Sequence, residues 1–451
     1  MSRISLPALT TAACFASFTT GAHASDEGDP DVRFKPISLT TQLDVGQIVH
    51  GKYDLTGANT DGQFLQRTGV WLTQETVIKE RFDLKMGVGG LFWYAYPEQE
   101  KSIHTKRTQF GPGISEAGAV YRFGDLGASS TPSAPSVQLS MGLFAYKYNE
   151  DAEDLGEYLL RSGTYPGYVV TGGWNWMARA GYMVQGAALR VKLLDGRFVS
   201  DFLMPMERDM PPMFDISPTY IGSLQLGPAL ELGAGISWNH GIPVKPSNDL
   251  PHDPENRQWI RSGDTLVQDS TGFYTFQGVK LMGRMSLDVK PLLGGMPGLG
   301  AKDLRIFTEA AVLGVKDYPY FYEHIRNRIP VMAGINLPAF KLLDILSVQA
   351  EYYNTKFKND IVNAYEDQIP IWHVQDNDAN NFNADSSMVG AAEKWKWSVT
   401  ASRHITKGLR IYAKAASDHF RPVDYNVKNV TVPITTRPGE WYYLVRFEFG
   451  I

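Results

Sequence analysis

Residues able to do covalent or metal chemistry are present, but not in catalytic arrangements. The sequence has no H-E-x-x-H, no G-x-S-x-G and no Walker A spacing. Its 9 histidines are scattered, and its 1 cysteine is Cys14. Asp376-Asn377-Asp378-Ala379-Asn380 has the spacing of the first half of a calcium loop, which gathers oxygens around a hard cation. Asn381 then stands where the sharp turn needs Gly, and Ser387 where the bidentate Glu belongs. The segment reads as an Asp/Asn-rich turn. We therefore expect no enzyme, no metal and no cofactor. Two long polar segments, 240–272 and 354–392, carry Trp259, Tyr365, Trp372 and His373, whose flat rings can stack on a polysaccharide or other surface.

The remaining chemistry lies in charges set on alternate positions. Asp83 and Lys85 alternate with Phe82, Leu84, Met86 and Val88. Lys280, Arg284 and Asp288 oppose Phe273, Val279, Leu281, Met285, Leu287 and Val289. Lys396 and His404 oppose Trp395, Trp397 and Val399, and Arg446 and Glu448 oppose Val445, Phe447 and Phe449. A period of two over such lengths is a strand signal, with one face apolar and the other polar. The expected polar face carries the bases Lys85, Arg122, Arg190, Lys192, Lys280, Arg284, Arg305, Lys396, Arg410, Lys414 and Arg446. It also carries the acids Asp83, Glu116, Glu231, Asp288, Glu309, Glu351 and Glu448. A midplane Lys or Arg facing lipid costs about 2–4 kcal/mol, so these charges belong in a water-filled interior. We expect Lys85, Arg122, Lys280, Arg284, Asp288, Arg305, Glu309, Lys396, Lys414 and Arg446 to line a pore. The surplus of bases implies a mild anion preference.

The elements positioning these charges follow from the same period. Strands are expected at 37–50, 64–77, 81–96, 111–123, 137–148, 177–193, 197–204, 218–226, 229–239, 273–289, 304–316, 329–337, 345–353, 393–404, 409–420 and 440–451. Among them, 197–204, 218–226 and 229–239 also admit a kinked strand in place of a pair, so 14 to 18 strands are compatible with the pattern. A strand of 15 residues spans about 50 Å, far longer than the usual soluble strand. Connections alternate between long polar segments and short turns such as Asp195-Gly196 and Lys407-Gly408. The fold class expected is all-β: a transmembrane antiparallel up-and-down barrel with short periplasmic turns and long extracellular loops. Within 149–176, the stretch 152–161 suits a short helix, and this loop is expected to fold inward.

Composition agrees with this class. Hydrophobic residues make up 43% of the 451-residue chain and charged residues 20%, with net charge −5. Alternation needs only every second strand residue to be apolar, so no run long enough for a membrane helix is required. The mild acidity gives no footprint for nucleic acid.

Met1-Ser2-Arg3, the apolar stretch Ile4–Phe18 and Ala22-His23-Ala24 have the layout of a cleaved signal peptide, 1–24. Its removal would leave no cysteine. Residues 25–36 read as an N-terminal periplasmic segment and 37–451 as the barrel. With that signal end and the closing run Trp441-Tyr442-Tyr443-Leu444-Val445-Arg446-Phe447-Glu448-Phe449-Gly450-Ile451, the sequence resembles a Gram-negative outer-membrane β-barrel of porin size. Such barrels usually close on Phe or Trp, and here Ile451 stands last. The resemblance implies location in the cell outer membrane, lipid contact, assembly machinery reading the last strand, homo-oligomers, and passive diffusion of small polar solutes. Two alternatives are carried forward: a surface-binding or structural barrel acting through its long loops, and a secreted soluble β-protein.

Overall fold

The structure, a computed structural model, describes residues 32–450 except 52–58, 96–108, 124–135, 162–181, 209–211, 245–256, 264, 295–297, 320–322, 355–393 and 419–438. Its strands are β1 (Val32–Phe34), β2 (Ser38–His50), β3 (Phe64–Ile78), β4 (Phe82–Ala95), β5 (Gln109–Phe123), β6 (Ser136–Tyr146) and β7 (Tyr182–Leu193). Then come β8 (Phe198–Pro205), β9 (Thr219–Leu226), β10 (Leu230–Asn239), β11 (Arg257–Ser262), β12 (Thr265–Phe273) and β13 (Gly278–Asp288). The chain closes with β14 (Arg305–Leu313), β15 (Pro330–Asn336), β16 (Ile345–Tyr353), β17 (Trp395–Thr406), β18 (Leu409–Ser417) and β19 (Trp441–Gly450).

Each strand from β2 to β10 and from β13 to β19 pairs antiparallel with its neighbours, and β19 returns to β2. The result is a closed barrel of sixteen strands. Closure leaves no sheet edge unpaired. The seam is held by charge as well as backbone. Asp44 on β2 accepts hydrogen bonds from the buried Arg67 Nε of β3 (2.6 Å) and Gln42 (2.6 Å) and from the partly buried Arg446 Nε of β19 (2.8 Å).

All sixteen expected barrel strands are found, and 197–204, 218–226 and 229–239 become the separate strands β8, β9 and β10. Three features differ. Val32–Phe34 forms β1, which prolongs the sheet beside β3, with Arg33 opposite Val77. Segment 240–272 is not a plain loop but holds the β11–β12 hairpin. Phe273 ends that hairpin instead of starting a barrel strand, and β13 begins at Gly278. The parity of Phe273 matched β13 only by coincidence across the loop at 274–277.

The barrel is apolar outside and polar inside. Val45, Leu72, Leu84, Met86, Met141, Leu189, Phe202, Leu232, Ile236, Leu281, Met285, Ile306 and Val331 are exposed. Gln42, Asp44, Arg67, Glu116, Ser140, Asp201, Lys280, Glu309, Gln349, Glu351, Lys396, Ser398, Thr400 and Lys414 are buried. This inverts the arrangement of a soluble protein, whose core is apolar. Aromatic pairs mark both ends of the wall. Tyr121 meets Phe82 and Phe123 at the short-turn end (6.4 and 4.8 Å between centroids). Tyr352 meets Trp395 and Trp397 meets Trp441 at the long-loop end (4.8 and 6.3 Å).

Candidate functional site: the lumen and its inward segment

After β6 the chain turns into the barrel. Ala152, Leu155, Tyr158 and Leu159 are almost wholly buried, and with Met282, Phe307, Ala311, Leu313, Met332 and Tyr353 they form an apolar cluster inside the lumen. The segment contains a 3-10 turn at Tyr158–Leu160 where a short helix was expected over 152–161. Residues 162–181 lie outside the described residues.

Four carboxylates, Asp151, Asp154, Glu309 and Glu351, fasten this segment to the wall. Asp151 accepts from Ser286 Oγ (2.5 Å), Arg305 Nη1 (3.1 Å) and Lys302 Nζ (3.4 Å), reaching β13, β14 and the turn between them. Asp154 receives Lys414 Nζ at 2.6 Å, Thr400 Oγ1 at 2.9 Å and the Ser398 hydroxyl, so it is pinned to β17 and β18. Glu309 on β14 works in the opposite sense. It accepts from Tyr148 OH (2.7 Å), Asn149 Nδ2 (2.8 Å) and the Tyr158 N–H (2.9 Å) of the segment. The backbone N–H groups of Asp154 and Leu155 donate to Gln349 Oε1 (3.3 and 3.2 Å), and Tyr158 OH donates to Glu351 (2.9 Å). Lys280 Nζ donates to the Arg161 carbonyl. Gly156 completes the fit at φ +85°, since a Cβ there would lie 2.6 Å from Met332 Cε and 3.2 Å from Glu309 Oε2.

These contacts split the expected pore residues into two sets. All ten lie on inward-facing positions of their strands. Lys280, Glu309, Lys396 and Lys414 are nearly inaccessible to solvent, and Arg284 is close to it. Arg284 pairs with Glu231. Lys85 and Arg122 keep 39% and 38% of their side chains exposed. Arg305 is 30% exposed, and Asp288 and Arg446 less.

On β4 to β8 a consistent asymmetry appears. Lys85 pairs with the more buried Glu116 (3.1 Å), Arg122 with Asp83, and Arg190, 35% exposed, with the buried Asp201 (2.8 Å). In each pair the cation is the partner that meets water and the carboxylate lies beneath it. The more accessible end of each of these three pairs is therefore the positive one.

The residues that sequence reasoning missed are Tyr148, Asn149, Asp151, Asp154, Glu157 and Tyr158. A signal was available: an acid-dense stretch, Glu150 to Glu157, matched to a barrel interior with more bases than acids. Of the proposed surface-binding aromatics, Trp259 lies on β11, where its backbone N–H donates to Tyr274 OH (3.1 Å). Tyr365, Trp372 and His373, like the Asp376–Asn380 motif, fall outside the described residues. Among the described residues no cluster of His, Cys, Asp and Glu could hold a metal ion.

Within the inward segment, burial pushes the Glu157 carboxyl up to about 7, against the pull of Lys147. Its carboxylate accepts from the backbone N–H groups of Tyr148 (3.1 Å) and Asn149 (3.4 Å). Glu153 is raised by burial as well. The fold thus holds the Glu157 proton more tightly than the unfolded chain, whose ordinary value is 4.5. The associated stability is complete below the unfolded value and is lost as pH rises through about 7. Over that window it amounts to about 3 kcal/mol. The thermal midpoint of the folded form on a denaturing gel is expected to fall between pH 5 and pH 8, and to fall less in Glu157→Gln. Equal falls in both proteins would contradict this.

No protein-family model and no curated protein matches the chain. Solved structures similar in shape are bacterial porins. They include Pseudomonas putida OprB (11% identity, TM-score 0.45, covering 93% of this chain and 94% of that one). Salmonella typhi OmpF in complex with daunomycin is 9% identical, with TM-score 0.45, over 92% of this chain and 97% of that one. A Rhodopseudomonas blastica porin mutant is 7% identical, with TM-score 0.40, over 93% of this chain and 100% of that one. On its own geometry, closed at sixteen strands with an apolar exterior and a charged interior, the chain has a porin-like outer-membrane barrel fold.

Proposed function

We propose that this protein is an outer-membrane channel for passive diffusion of small polar solutes. The solute path runs beside the inward segment, along the β4–β6 side of the lumen and past Arg190 at the short-turn end of β7, with a preference for anions. The observation that carries this reading is the set of half-exposed cations Lys85, Arg122 and Arg190, each over a more buried carboxylate. On the filled side the order is reversed, with Arg284 5% and its partner Glu231 35% exposed. The segment from Tyr148 to Arg161 narrows the path by bonding to β13–β18 and packing its apolar side chains against Val184, Ala188, Leu203 and Ile221 of β7–β9.

Lipid is the outer partner in this reading, small polar solutes the inner one, and β19 the strand read during assembly. Residues 1–24 direct export. The long loops and any homo-oligomer are secondary to the channel. A secreted soluble protein would have to hide the belt of exposed apolar side chains, which runs round the whole barrel. Vesicles containing the purified barrel are expected to swell in isosmotic solutions of small neutral sugars and amino acids, more slowly as solute size rises. Swelling no faster than in protein-free vesicles would refute the channel reading.

A further inference from the structure

The wall of the barrel is uneven. β3, β4 and β5 have 15, 14 and 15 residues, whereas β14, β15 and β16 have 9, 7 and 9. At about 3.3 Å per residue and a tilt near 40°, a 7-residue strand rises about 18 Å, short of the apolar band of about 25 Å that a barrel presents to lipid. β15 thus falls about 7 Å short of the apolar band, and β14 and β16, of 9 residues each, about 2 Å short.

The short-turn ends of this same sector are unusually apolar. Leu342 is 76% exposed and Phe340 64% in the β15–β16 turn, and Leu292 is 66% exposed in the adjacent β13–β14 turn, beside Leu293. Ile405, at the next turn round, is exposed too. The β15–β16 tip is fixed in place. Arg403 of β17 donates to the Lys341 carbonyl, and Asp344 accepts the His404 backbone N–H at 2.6 Å. Phe340 and Lys341 both take left-handed backbone, φ 50° and 60°, which a bulky side chain adopts only where its surroundings hold it. Large exposed apolar tips in turns are otherwise a liability.

We propose that these turns are membrane anchors: the tips at Leu292–Leu293 and Phe340–Leu342 insert into the periplasmic leaflet and complete the apolar band over β14–β16. The occupant is phospholipid, with acyl chains against Leu292, Phe340 and Leu342, and headgroup phosphate near Lys341 and Arg403. Continuity decides for lipid over a periplasmic protein. The β15–β16 tip follows the outward face of β15 that begins at the exposed Val331, the β13–β14 tip precedes the exposed Ile306 of β14, and β15 is the shortest barrel strand among the described residues. The inference rests on the barrel spanning the outer membrane.

The test uses the full chain with Cys14→Ser, which has no other cysteine. Single substitutions Val331→Cys, Phe340→Cys and Leu342→Cys take a nitroxide label in phosphatidylethanolamine/phosphatidylglycerol vesicles. The heat-dependent mobility shift on a gel certifies each fold. Collision with oxygen and with a water-soluble nickel chelate is then read by electron paramagnetic resonance. The expected result is that all three labels favour oxygen, those at 340 and 342 lying below the phosphate level. Labels at 340 and 342 that favour nickel while 331 favours oxygen would overturn the anchor alone. Nickel preference at all three would overturn the membrane reading and the anchor with it.

Discussion

Replacing Asp154 by Ala is expected to loosen the inward segment and raise single-channel conductance. Asp154 joins this segment to β17 and β18 through Lys414, Thr400 and Ser398. Its removal leaves two hydroxyls without their acceptor. It also leaves Lys414, which is inaccessible to solvent, with Asp418 at 2.9 Å as its remaining carboxylate in an ion pair. Leaving a buried charge wholly unpaired costs about 3–5 kcal/mol, and because Lys414 keeps Asp418 the loss here is smaller. The barrel wall has its own ladder of backbone bonds, so the loss falls on the segment and not on closure. The variant should keep its folded gel mobility, melt at lower temperature and conduct more, with noisier open levels. Unchanged conductance together with an unchanged melting temperature would show that Asp154 does not hold the constriction.

The second large effect concerns charge. Lys85→Gln with Arg122→Gln removes two water-facing cations and uncovers Glu116 and Asp83 beneath them. Both cations are more than a third exposed, so their pairing adds little stability and the double variant should fold. The field at the wall changes sign locally. Charged walls in narrow channels change local ion concentration by roughly tenfold or more. The reversal potential in a salt gradient should therefore move toward cation selectivity. The shift should shrink at 1 M salt, where the Debye length is about 3 Å. A reversal potential that stays where it was would place the solute path elsewhere in the lumen.

The barrel was legible in the sequence because each strand must alternate to face lipid and water at once. That requirement writes itself into residues such as Phe82 to Val88 and Trp395 to Thr400. It fails for β1, three residues long, and for the β11–β12 hairpin, which meets no lipid and need not alternate. The inward face was legible as well, but not which of its residues meet water. Lys280, Lys396 and Lys414 carry the same alternation as Lys85 and Arg122. What separates them is the segment folded against β13–β18, held by contacts between positions such as Asp154 and Lys414 that lie far apart in sequence. No local period reports such contacts. The charge balance does so indirectly, because excess interior bases require acids from somewhere, and Asp151 and Asp154 supply them.

Single-channel recording of the purified barrel in a planar bilayer tests most directly for a water-filled path beside a fixed inward segment. Discrete, ohmic conductance steps are expected, with a reversal potential biased toward anions in a potassium chloride gradient. A barrel that shows its heat-dependent gel shift yet gives no conductance steps would contradict it.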